Sequence, residues 1–380
     1  MTRIYLVRHA QAEGNLYRRA QGAYDSLVTP QGYAQINALK ERFADIPVQV
    51  VYSSPRYRTR TTASAIYGPK NIPMYILNDL REVDCGPWED RTWGDIRYHE
   101  KEQLENFTYH FDRWHIEGAE TAEEVRDRML RTMDTVVREC PDMTVAVVTH
   151  GMAARILLGT LQGMSLTEIS ENFPHGDNTA VSLIEYEDGR YRVVYANDTR
   201  HLTESISTFA KQSWWKGRQG EEIGLRFLPL DLERDADGAL YHLCHAEAWR
   251  TRRGSMDGYC GETTLQQAKQ LQKLHASVLL AAYHEDQFAG ILQLDRAEEG
   301  VSLISALYLT ADYRGKGLGI QLIGEAVSRS RRDGRNRLRA ICGQGDAHLQ
   351  HFYRSCGFRK TGEMLPSDHT MEILELYIGF

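Results

Sequence analysis

The chain has 380 residues, of which 42% are hydrophobic and 26% charged, and its formal net charge is −7. This ordinary globular composition excludes disordered and collagen-like chains, and the negative charge argues against general affinity for nucleic acid. A chain of this length is long for one hydrophobic core and suits two domains.

The cysteines, the first residues and the apolar runs indicate the compartment. Six cysteines are scattered without metal-ligand spacing, so we expect reduced, mostly buried thiols and a cytoplasmic protein. The first residues enter a predicted strand directly and lack the anatomy of a signal peptide. No apolar run approaches the roughly 18 residues of a membrane-spanning helix, so we expect no membrane partner.

Strands alternate with helices over the first half of the chain, which predicts an α/β sheet with helices on its faces. Residues 11–29 are polar and are expected to form a loop. We predict strands at 4–8, 48–52, 74–77 and 144–149, and a hairpin over 181–195. We predict helices at 30–43, at 121–138 and from 152, a helix after the second strand that carries Arg56, Arg58 and Arg60, and a helical insert at 93–117.

The pattern lapses after residue 195, where a polar stretch with Gly217 and Gly220 predicts a linker. We place the boundaries at 1–205 for the first domain, 206–222 for the linker and 223–380 for the second domain. Trp214 and Trp215 are expected to pin the linker to one domain. In the second domain we predict strands at 224–228, 278–283, 290–295, 302–309, 337–342 and 371–377, and helices at 231–250, 263–275, 319–332 and 347–355.

Polar residues follow four predicted strands of the first domain. Arg8 and His9 follow the first strand, and Arg58, Glu82 and His150 follow the next three. Because the carboxyl ends of parallel strands meet at one edge of a sheet, we expect these five side chains to converge there.

These residue types suit phosphoryl transfer. Arginines and histidines form an anion pocket, and a neutral imidazole can attack phosphorus. The charge that develops on the phosphoryl oxygens needs fixed cations, which arginines provide without a metal. Glu82 is the one carboxyl in the set, and it suits the proton transfers to the leaving group and from water.

Five segments resemble the histidine phosphatase superfamily, also called phosphoglycerate-mutase-like, and they occur in the family's order. The matching patterns are LVRH-G/A-x-x-x-x-N at 6–15, QG…D-x-x-L-T at 21–29, SSPLxRAxQTA at 53–63, LxE…GxWEG at 80–90 and VxHG at 148–151. The resemblance covers residues 1–200 and implies a three-layer sheet with helices on both faces. It implies His9 as the phosphorylated nucleophile and Glu82 as the proton donor. The implied phosphate and substrate ligands are Arg8, Asn15, Gln21, Gly22, Arg58 and His150.

Two departures from the family pattern bear on the substrate. Gly14 stands where mutases of this type carry a bulky aromatic residue, and Asp90 stands where the family has glycine. The segment 93–117 does not resemble the substrate-holding segment of the mutases. We therefore favour a phosphatase acting on a small phosphorylated metabolite, with a mutase as the alternative. His175, near a turn that this family places by the pocket, is a weaker candidate for a supporting role.

A second motif lies between a predicted strand and a helix, at Arg314, Gly315, Lys316, Gly317, Leu318 and Gly319. Glycines there let backbone N–H groups approach a pyrophosphate at a helix N-terminus. A dinucleotide GxGxxG motif would need glycine where Ile320 stands, and a Walker loop would need Ser or Thr where Gly317 stands. The spacing R/Q-x-x-G-x-G, together with FYxxxGF at 352–358, resembles the GNAT acyltransferase family over residues 222–380.

The GNAT resemblance implies an α/β domain with a mixed sheet and acetyl-CoA as the cosubstrate. The backbone of 314–319 would bind the CoA pyrophosphate, Leu307 to Leu309 would pair with the pantetheine, and Tyr353 would protonate the departing thiolate. Asp346 stands where the family usually has Asn, and no general base is identifiable from the sequence.

The combined hypothesis is a metal-independent phosphomonoesterase fused to an N-acetyltransferase that acts on a small amine or a protein amine. Both domains would act on one metabolite that carries a phosphate and an amine. An alternative is a non-catalytic CoA-binding module that regulates the phosphatase. The sequence identifies neither the amine acceptor nor the oligomeric state.

Overall fold

The computed structural model describes residues 1–212, 224–253, 255–365 and 368–380. The chain divides into two compact units, one comprising Met1–Arg91 and His99–Glu222, the other Thr92–Tyr98 and Ile223–Phe380. Among the described residues, no helix combines the length and the apolar character needed to cross a membrane.

The first unit is built on a six-stranded mixed sheet, which confirms the predicted α/β class. Its strand order is β3-β2-β4-β1-β5-β6. The strands β1 to β4 are parallel, and β5 and β6 form an antiparallel hairpin beside β1. The strand bounds are β1 Thr2–Arg8, β2 Val50–Ser53, β3 Met74–Ile76, β4 Thr144–Thr149, β5 Val181–Glu187 and β6 Arg190–Asp198.

Helices connect and cover these strands. Thr29 caps α2 by accepting from the Gly32 N–H, and Thr121 and Glu124 form a capping box at α6. The helix bounds are α1 Glu13–Tyr17, α2 Pro30–Arg42, α3 Tyr57–Lys70, α5 Lys101–Tyr109, α6 Ala122–Glu139, α7 Gly151–Leu161, α8 Leu166–Asn172 and α9 Thr208–Lys211. The helix α4 Trp93–His99, between α3 and α5 in the chain, belongs to the second unit except for His99. The prediction of a loop over 11–29 was wrong for α1, which is too short to show a helical period, and α8 was not predicted.

Alternation along β1 places helices on both faces of the sheet. Val7 packs in a core cluster with residues of α2 and α3, including Leu39 and Ile66. Leu6 and Arg8 point to the opposite face, where they line a small cavity with Ala154 of α7. The strand therefore delivers Arg8 and His9 to different sides of the same sheet edge.

Part of the predicted linker is held on the first unit. Thr208 is buried, and its hydroxyl accepts hydrogen bonds from the Gln11 and Gln35 side chains at 3.2 and 3.0 Å. The Ser207 hydroxyl donates to Asp177 at 2.7 Å. The rest of the predicted linker, from residue 213 and with Trp214 and Trp215, lies outside the described residues.

The second unit contains a seven-stranded mixed sheet with the order β12-β13-β11-β10-β9-β8-β7. The strands are β7 Arg226–Pro229, β8 Ser277–His284, β9 Gln287–Arg296, β10 Val301–Leu309, β11 Arg337–Gly343, β12 Arg359–Leu365 and β13 Asp368–Tyr377. The helices are α10 Asp235–Arg253, α11 Gly261–Lys273, α12 Gly319–Arg332 and α13 Ala347–Ser355. The edge strand β12 was not predicted, because its largely exposed sequence has no apolar alternation.

Two central strands of this sheet diverge. The parallel pairing of β10 with β11 runs from Val301 to Ile304, opposite Arg337 to Ala340. A register shift follows between Ile304 and Ala306, and β10 then continues to Leu309 paired with β9. Beyond Ala340, β11 pairs with β13. The edge of β10 that would otherwise face β11 is therefore open over its last residues.

Candidate active sites

The backbone of His9 is fixed at the carboxyl end of β1. Its N–H donates to the Thr149 carbonyl at 2.9 Å, and its carbonyl accepts from the Asn178 side-chain amide at 3.0 Å. The next amide, that of Ala10, donates to the Thr62 hydroxyl at 2.8 Å. Three separate segments thus hold this histidine, which is 4% exposed.

The hydrogen bond of the His9 ring determines its tautomer. Nδ1 lies 2.7 Å from the Ala10 carbonyl oxygen, which can only accept. Nδ1 therefore carries the proton, and Nε2 keeps the lone pair. This is the form of imidazole that can act as a nucleophile.

His150 lies beside His9, with ring centroids 5.2 Å apart and an interplanar angle of 61°. The Arg58 Nε–H donates to His150 Nδ1 at 3.2 Å, so that nitrogen is unprotonated. His150 Nε2 lies 2.8 Å from the Ser54 hydroxyl and carries the ring proton. His150 is thus a neutral N–H donor at the start of α7.

Arg58 is fully buried in the first turn of α3 and is held by backbone oxygens. Its two terminal nitrogens donate to the Tyr24 and Gly22 carbonyls, each at 2.9 Å. Asp25 lies 3.7 Å from the guanidinium, and its carboxylate accepts the Tyr57 N–H at the start of the same helix. The loop 22–25 therefore sets the orientation of Arg58.

The partly buried carboxylate of Glu89 holds that loop. Glu89 accepts four backbone N–H groups, those of Gly22, Ala23, Tyr24 and Cys85, at 2.7–3.2 Å. The Gly22 N–H, predicted as a phosphate ligand, is therefore bound to Glu89 in this structure. The contact of Gly22 with the site is indirect, because its carbonyl accepts a hydrogen bond from Arg58.

Arg8 lies over the N-terminus of α7. Its Nη1 donates to the Gly176 carbonyl at 2.5 Å, whereas its Nε is buried without a hydrogen-bond partner among the described residues. A Cβ at Gly151 would lie 3.2 Å from the guanidinium carbon, so glycine leaves room for Arg8 there. His175, next to Gly176, accepts a hydrogen bond from Arg155 at 3.0 Å and supports this loop.

Glu82 follows the short 3₁₀ helix Asn78–Leu80, and its carboxylate caps α7. Its Oε1 accepts the Val83 and Ala153 N–H groups, and its Oε2 accepts the Met152 N–H, at 2.9–3.0 Å. The positive end of a helix stabilises a carboxylate there. A carboxylate has about four lone-pair positions, so Oε2 retains one for a proton.

Asn15 and Gln21 complete the predicted phosphatase set. Asn15 Oδ1 accepts from the Asn178 side chain at 3.3 Å, and Asn178 in turn donates to the His9 carbonyl. The Gln21 side chain donates to Ser26 beside the loop that orients Arg58. Direct contacts or a single intervening residue thus connect most of the predicted residues to His9 or to Arg58.

The glycine-rich loop of the second unit leads into α12. Gly315 and Gly317 have φ angles of +71° and +74°, and a Cβ at either would meet nothing within 4 Å. The Arg314 side chain donates to the Leu309 carbonyl at 2.7 Å and to Glu247 at 3.2 Å. The loop therefore begins at the open end of β10. Just before α12, the space beside the Gly315 and Gly317 backbone is open.

Tight packing joins this loop to α13. A Cβ at Gly319 would lie 2.9 Å from a ring carbon of Phe352, so the aromatic ring approaches the helix start closely. Tyr353 is buried next to Phe358, with ring centroids 5.1 Å apart. Asp346 caps α13 by accepting the Leu349 N–H at 2.9 Å, which gives the departure from Asn a structural role.

Family models match both parts of the chain. The histidine phosphatase superfamily (branch 1) matches residues 4–199, and the acetyltransferase (GNAT) family matches residues 243–358. The chain belongs to the histidine phosphatase superfamily. It also carries a GNAT domain, and both families consist of enzymes.

Curated relatives and a solved structure resemble the phosphatase domain. "Phosphoserine phosphatase 1" of Hydrogenobacter thermophilus is 29% identical over 212 residues, which cover 54% of this chain and 96% of that protein. "Probable phosphoglycerate mutase GpmB" of Erwinia tasmaniensis is 26% identical over 210 residues, or 54% and 97%. The structure of Bacillus stearothermophilus YhfR is 28% identical with a TM-score of 0.52, and the match covers 53% of this chain and 99% of that one.

The structure shows what surrounds Gly14 and Asp90, the two departures from the histidine phosphatase pattern described above. A Cβ at Gly14 would lie 2.7–2.8 Å from carbons of the Gln21 side chain, so a larger residue at position 14 would have to displace Gln21. Asp90 has a φ of +61°, a region that favours glycine. Its carboxylate accepts from Arg19 Nε at 2.7 Å in a largely buried pair, which compensates for the unfavourable backbone.

Some residues of the histidine phosphatase site lie inside the matched segments but were not predicted to have a role. Ser54, Asp25 and Glu89 are such cases, and each contacts a ring, a helix start or a loop that holds the predicted residues. Their position inside the matched segments is the sequence feature that could have identified them. Asn178 lies outside the matched segments, and no local pattern marks its contact with His9.

The two site histidines make the stability of this domain depend on pH. Burial, followed by the charges of Arg58 and Arg8, lowers the pKa of His9 well below its usual value. Burial and the charge of Arg58 do the same to the pKa of His150. Both imidazoles are therefore neutral in the folded protein near pH 7, whereas in the unfolded chain each titrates near about 6.5.

We predict that the free energy of unfolding of the phosphatase domain falls as the pH decreases below about 6.5, since the unfolded chain then binds more protons. Each neutral histidine contributes up to about 1.4 kcal/mol per pH unit until the folded pKa is reached. The free energy of unfolding is measured by urea denaturation at several pH values, with amide exchange of β1 as the readout. It should fall less steeply with decreasing pH for His9→Asn than for wild type. The exposed His115→Asn variant should keep the wild-type slope, and an unchanged slope for His9→Asn would contradict the prediction.

Proposed function

We propose that the N-terminal domain hydrolyses phosphomonoesters of small metabolites, without a metal, through a phosphohistidine at His9. The observation that carries this proposal is the hydrogen bond from His9 Nδ1 to the Ala10 carbonyl, which leaves the lone pair on Nε2. The buried guanidinium of Arg58 and the half-buried Arg8 supply positive charge beside it. Burial lowers the pKa of Arg58 only to about 10, so it stays charged near pH 7.

In the first step, His9 Nε2 attacks phosphorus and the ester P–O bond breaks. The departing alkoxide takes a proton from Glu82, at the Oε2 position that the helix leaves open. In the second step, water attacks phosphorus, the N–P bond breaks and Glu82 takes the proton from that water. His150, whose Nε2–H contacts Ser54, would turn this donor to a phosphoryl oxygen.

Hydrolysis is favoured over a mutase reaction by the packing of Gly14. Gln21 fills the space beside this glycine, so the aromatic residue of the mutases would have to displace Gln21. The relatives named for phosphoserine and phosphoglycerate make phosphorylated three-carbon acids the first esters to test. Phosphoryl transfer within one substrate without phosphate release would support the mutase alternative.

The test is phosphate release from p-nitrophenyl phosphate and a panel of metabolite phosphates in the presence of EDTA. The proposal predicts EDTA-resistant hydrolysis with free phosphate as the product. Hydrolysis that requires an added divalent cation would contradict it.

We also propose that the GNAT domain transfers the acetyl group of acetyl-CoA to an amine. The open backbone at Gly315 and Gly317 would bind the pyrophosphate, and the unpaired edge of β10 from Leu307 to Leu309 would bind the pantetheine. The amine nitrogen attacks the thioester carbonyl, the C–S bond breaks and Tyr353 protonates the thiolate. The proton that the nitrogen loses passes to water, and Tyr353 regains a proton from solvent. An acceptor that carries both a phosphate and an amine would unite the two domains.

Replacing Gly317 by alanine should weaken acetyl-CoA binding by about tenfold. A residue with a Cβ costs about 1–2 kcal/mol at a positive φ, so the loop would move away from its present conformation. Isothermal titration with acetyl-CoA measures this, with Gly345→Ala, at a glycine with open space and no positive φ, as the control. Equal affinities for Gly317→Ala and wild type would contradict the assignment of this loop.

A regulatory CoA-binding module remains the alternative for the second domain. It predicts acetyl-CoA binding without turnover on a panel of amines, together with a change in the phosphatase rate. Release of free CoA from acetyl-CoA in the presence of an amine would support the acetyltransferase and contradict the regulatory module.

A further inference from the structure

Arg56 is a cation beside the histidine phosphatase site that the mechanism above does not use. It stands where the family pattern SSPLxR has leucine, so the chain places a charge at an apolar position. It is the residue immediately before α3 and lies between Ser54 and Arg58. Both of these neighbours contact the ring of His150.

The Arg56 side chain has no partner within the described part of the chain. Its Nε is buried without a hydrogen-bond acceptor, and no described carboxylate lies within ion-pair distance. Arg58, two residues later, donates to two carbonyls and to His150, and the Asp25 carboxylate lies 3.7 Å away. A half-buried guanidinium without an anion is costly, and a second cation nearby adds to the cost. This cost is offset when a ligand supplies the anion.

The position of Arg56 places it beside the phosphoryl pocket. It lies in the segment whose Ser54 and Arg58 both contact the ring of His150, and its buried Nε has no acceptor there. Its charge also contributes to the lowered pKa of His150. Arg58 and Arg8 supply the charge beside His9, so Arg56 suits a part of the substrate other than the transferred phosphoryl group.

We propose that Arg56 binds a second anionic group of the phosphate ester, a carboxylate or a further phosphate, and that the substrate is a phosphomonoester with such a group. This inference rests on the proposed phosphatase function and adds the class of substrate. A guanidinium recognises either anion through charge-assisted, often bidentate hydrogen bonds.

The experiment compares kcat/KM for pairs of esters that differ in the second anion. Phosphoserine against phosphoethanolamine tests a carboxylate, and fructose 1,6-bisphosphate against fructose 6-phosphate tests a further phosphate. Wild type should prefer the member that carries the second anionic group in at least one pair. In Arg56→Leu, which restores the family's residue, this preference should fall about tenfold or more. Arg60→Leu, an exposed arginine on the same helix, is the matched control and should keep the preference.

The outcomes distinguish this inference from the function on which it rests. A preference that is lost in Arg56→Leu but kept in Arg60→Leu supports the inference, and the pair that responds identifies the anion. Hydrolysis that needs His9 but shows no preference, or a preference unchanged in Arg56→Leu, overturns the inference and leaves the phosphatase function intact. A folded wild-type protein that hydrolyses no ester overturns both.

Discussion

Replacing His9 by alanine is expected to reduce phosphate release from p-nitrophenyl phosphate by about 10⁴-fold or more, because loss of a covalent nucleophile has effects of this size or larger in other hydrolases. The ring of His9 is held by one hydrogen bond to the Ala10 carbonyl, so its removal leaves Arg58 and His150 with their present partners. The chemistry should therefore be lost while the fold persists. Initial rates with EDTA present measure the effect.

The control for this substitution is His115→Ala, which removes an exposed histidine of the same domain. It should hydrolyse p-nitrophenyl phosphate at the wild-type rate. Circular dichroism and amide exchange of β1 should show that His9→Ala is folded. If folded His9→Ala retains a tenth of the wild-type rate, the assignment of the nucleophile is wrong.

The second large effect is expected for Arg128→Met, on the stability of the phosphatase domain. Arg128 is 1% exposed, and its guanidinium donates to both oxygens of Glu120 at 2.6 and 2.9 Å. It also donates to the carbonyls of Asp79, Arg81 and Glu82 at 2.7–3.1 Å. Removing one partner of a buried ion pair costs about 3–5 kcal/mol, because the other charge and its hydrogen-bonding groups are left unpaired.

Thermal denaturation followed by loss of phosphatase activity measures this effect, and the midpoint should fall by roughly 10 °C. Arg131→Met, an exposed arginine on the same helix, should change the midpoint by no more than about 1–2 °C. Because Arg128 holds the segment that presents Glu82, kcat should also fall well below that of Arg131→Met at a temperature where both variants are folded. Equal midpoints for the two variants would show that the buried network contributes little.

The positions of the main elements were predictable because local signals agreed with the tertiary structure. The buried strand 144–149 is a continuous apolar run, and the helices 319–332 and 347–355 have the predicted bounds. The convergence of His9, Arg58 and His150 followed from their positions after parallel strands. These inferences needed only the periodicity of the side chains and the topology of a parallel sheet.

The partners within the site were not predictable from the sequence. The binding of the Gly22 N–H to Glu89 depends on two segments more than 60 residues apart, as does the contact of Asn178 with His9. The unpartnered state of Arg56 is a property of everything that packs around it, which no local pattern reports. The edge strand β12 was missed for a related reason, since its pairing with β13, rather than its own composition, makes it a strand.

The most direct test of the account is to detect the phosphorylated intermediate. Wild-type protein is mixed with excess ester, quenched in alkali, where phosphohistidine is stable, and digested for mass spectrometry. The account predicts phosphate on the peptide that contains His9, at the ring nitrogen Nε2, and none on that peptide in His9→Ala. Turnover with no phosphorylated protein, or with phosphate on another residue, would contradict it.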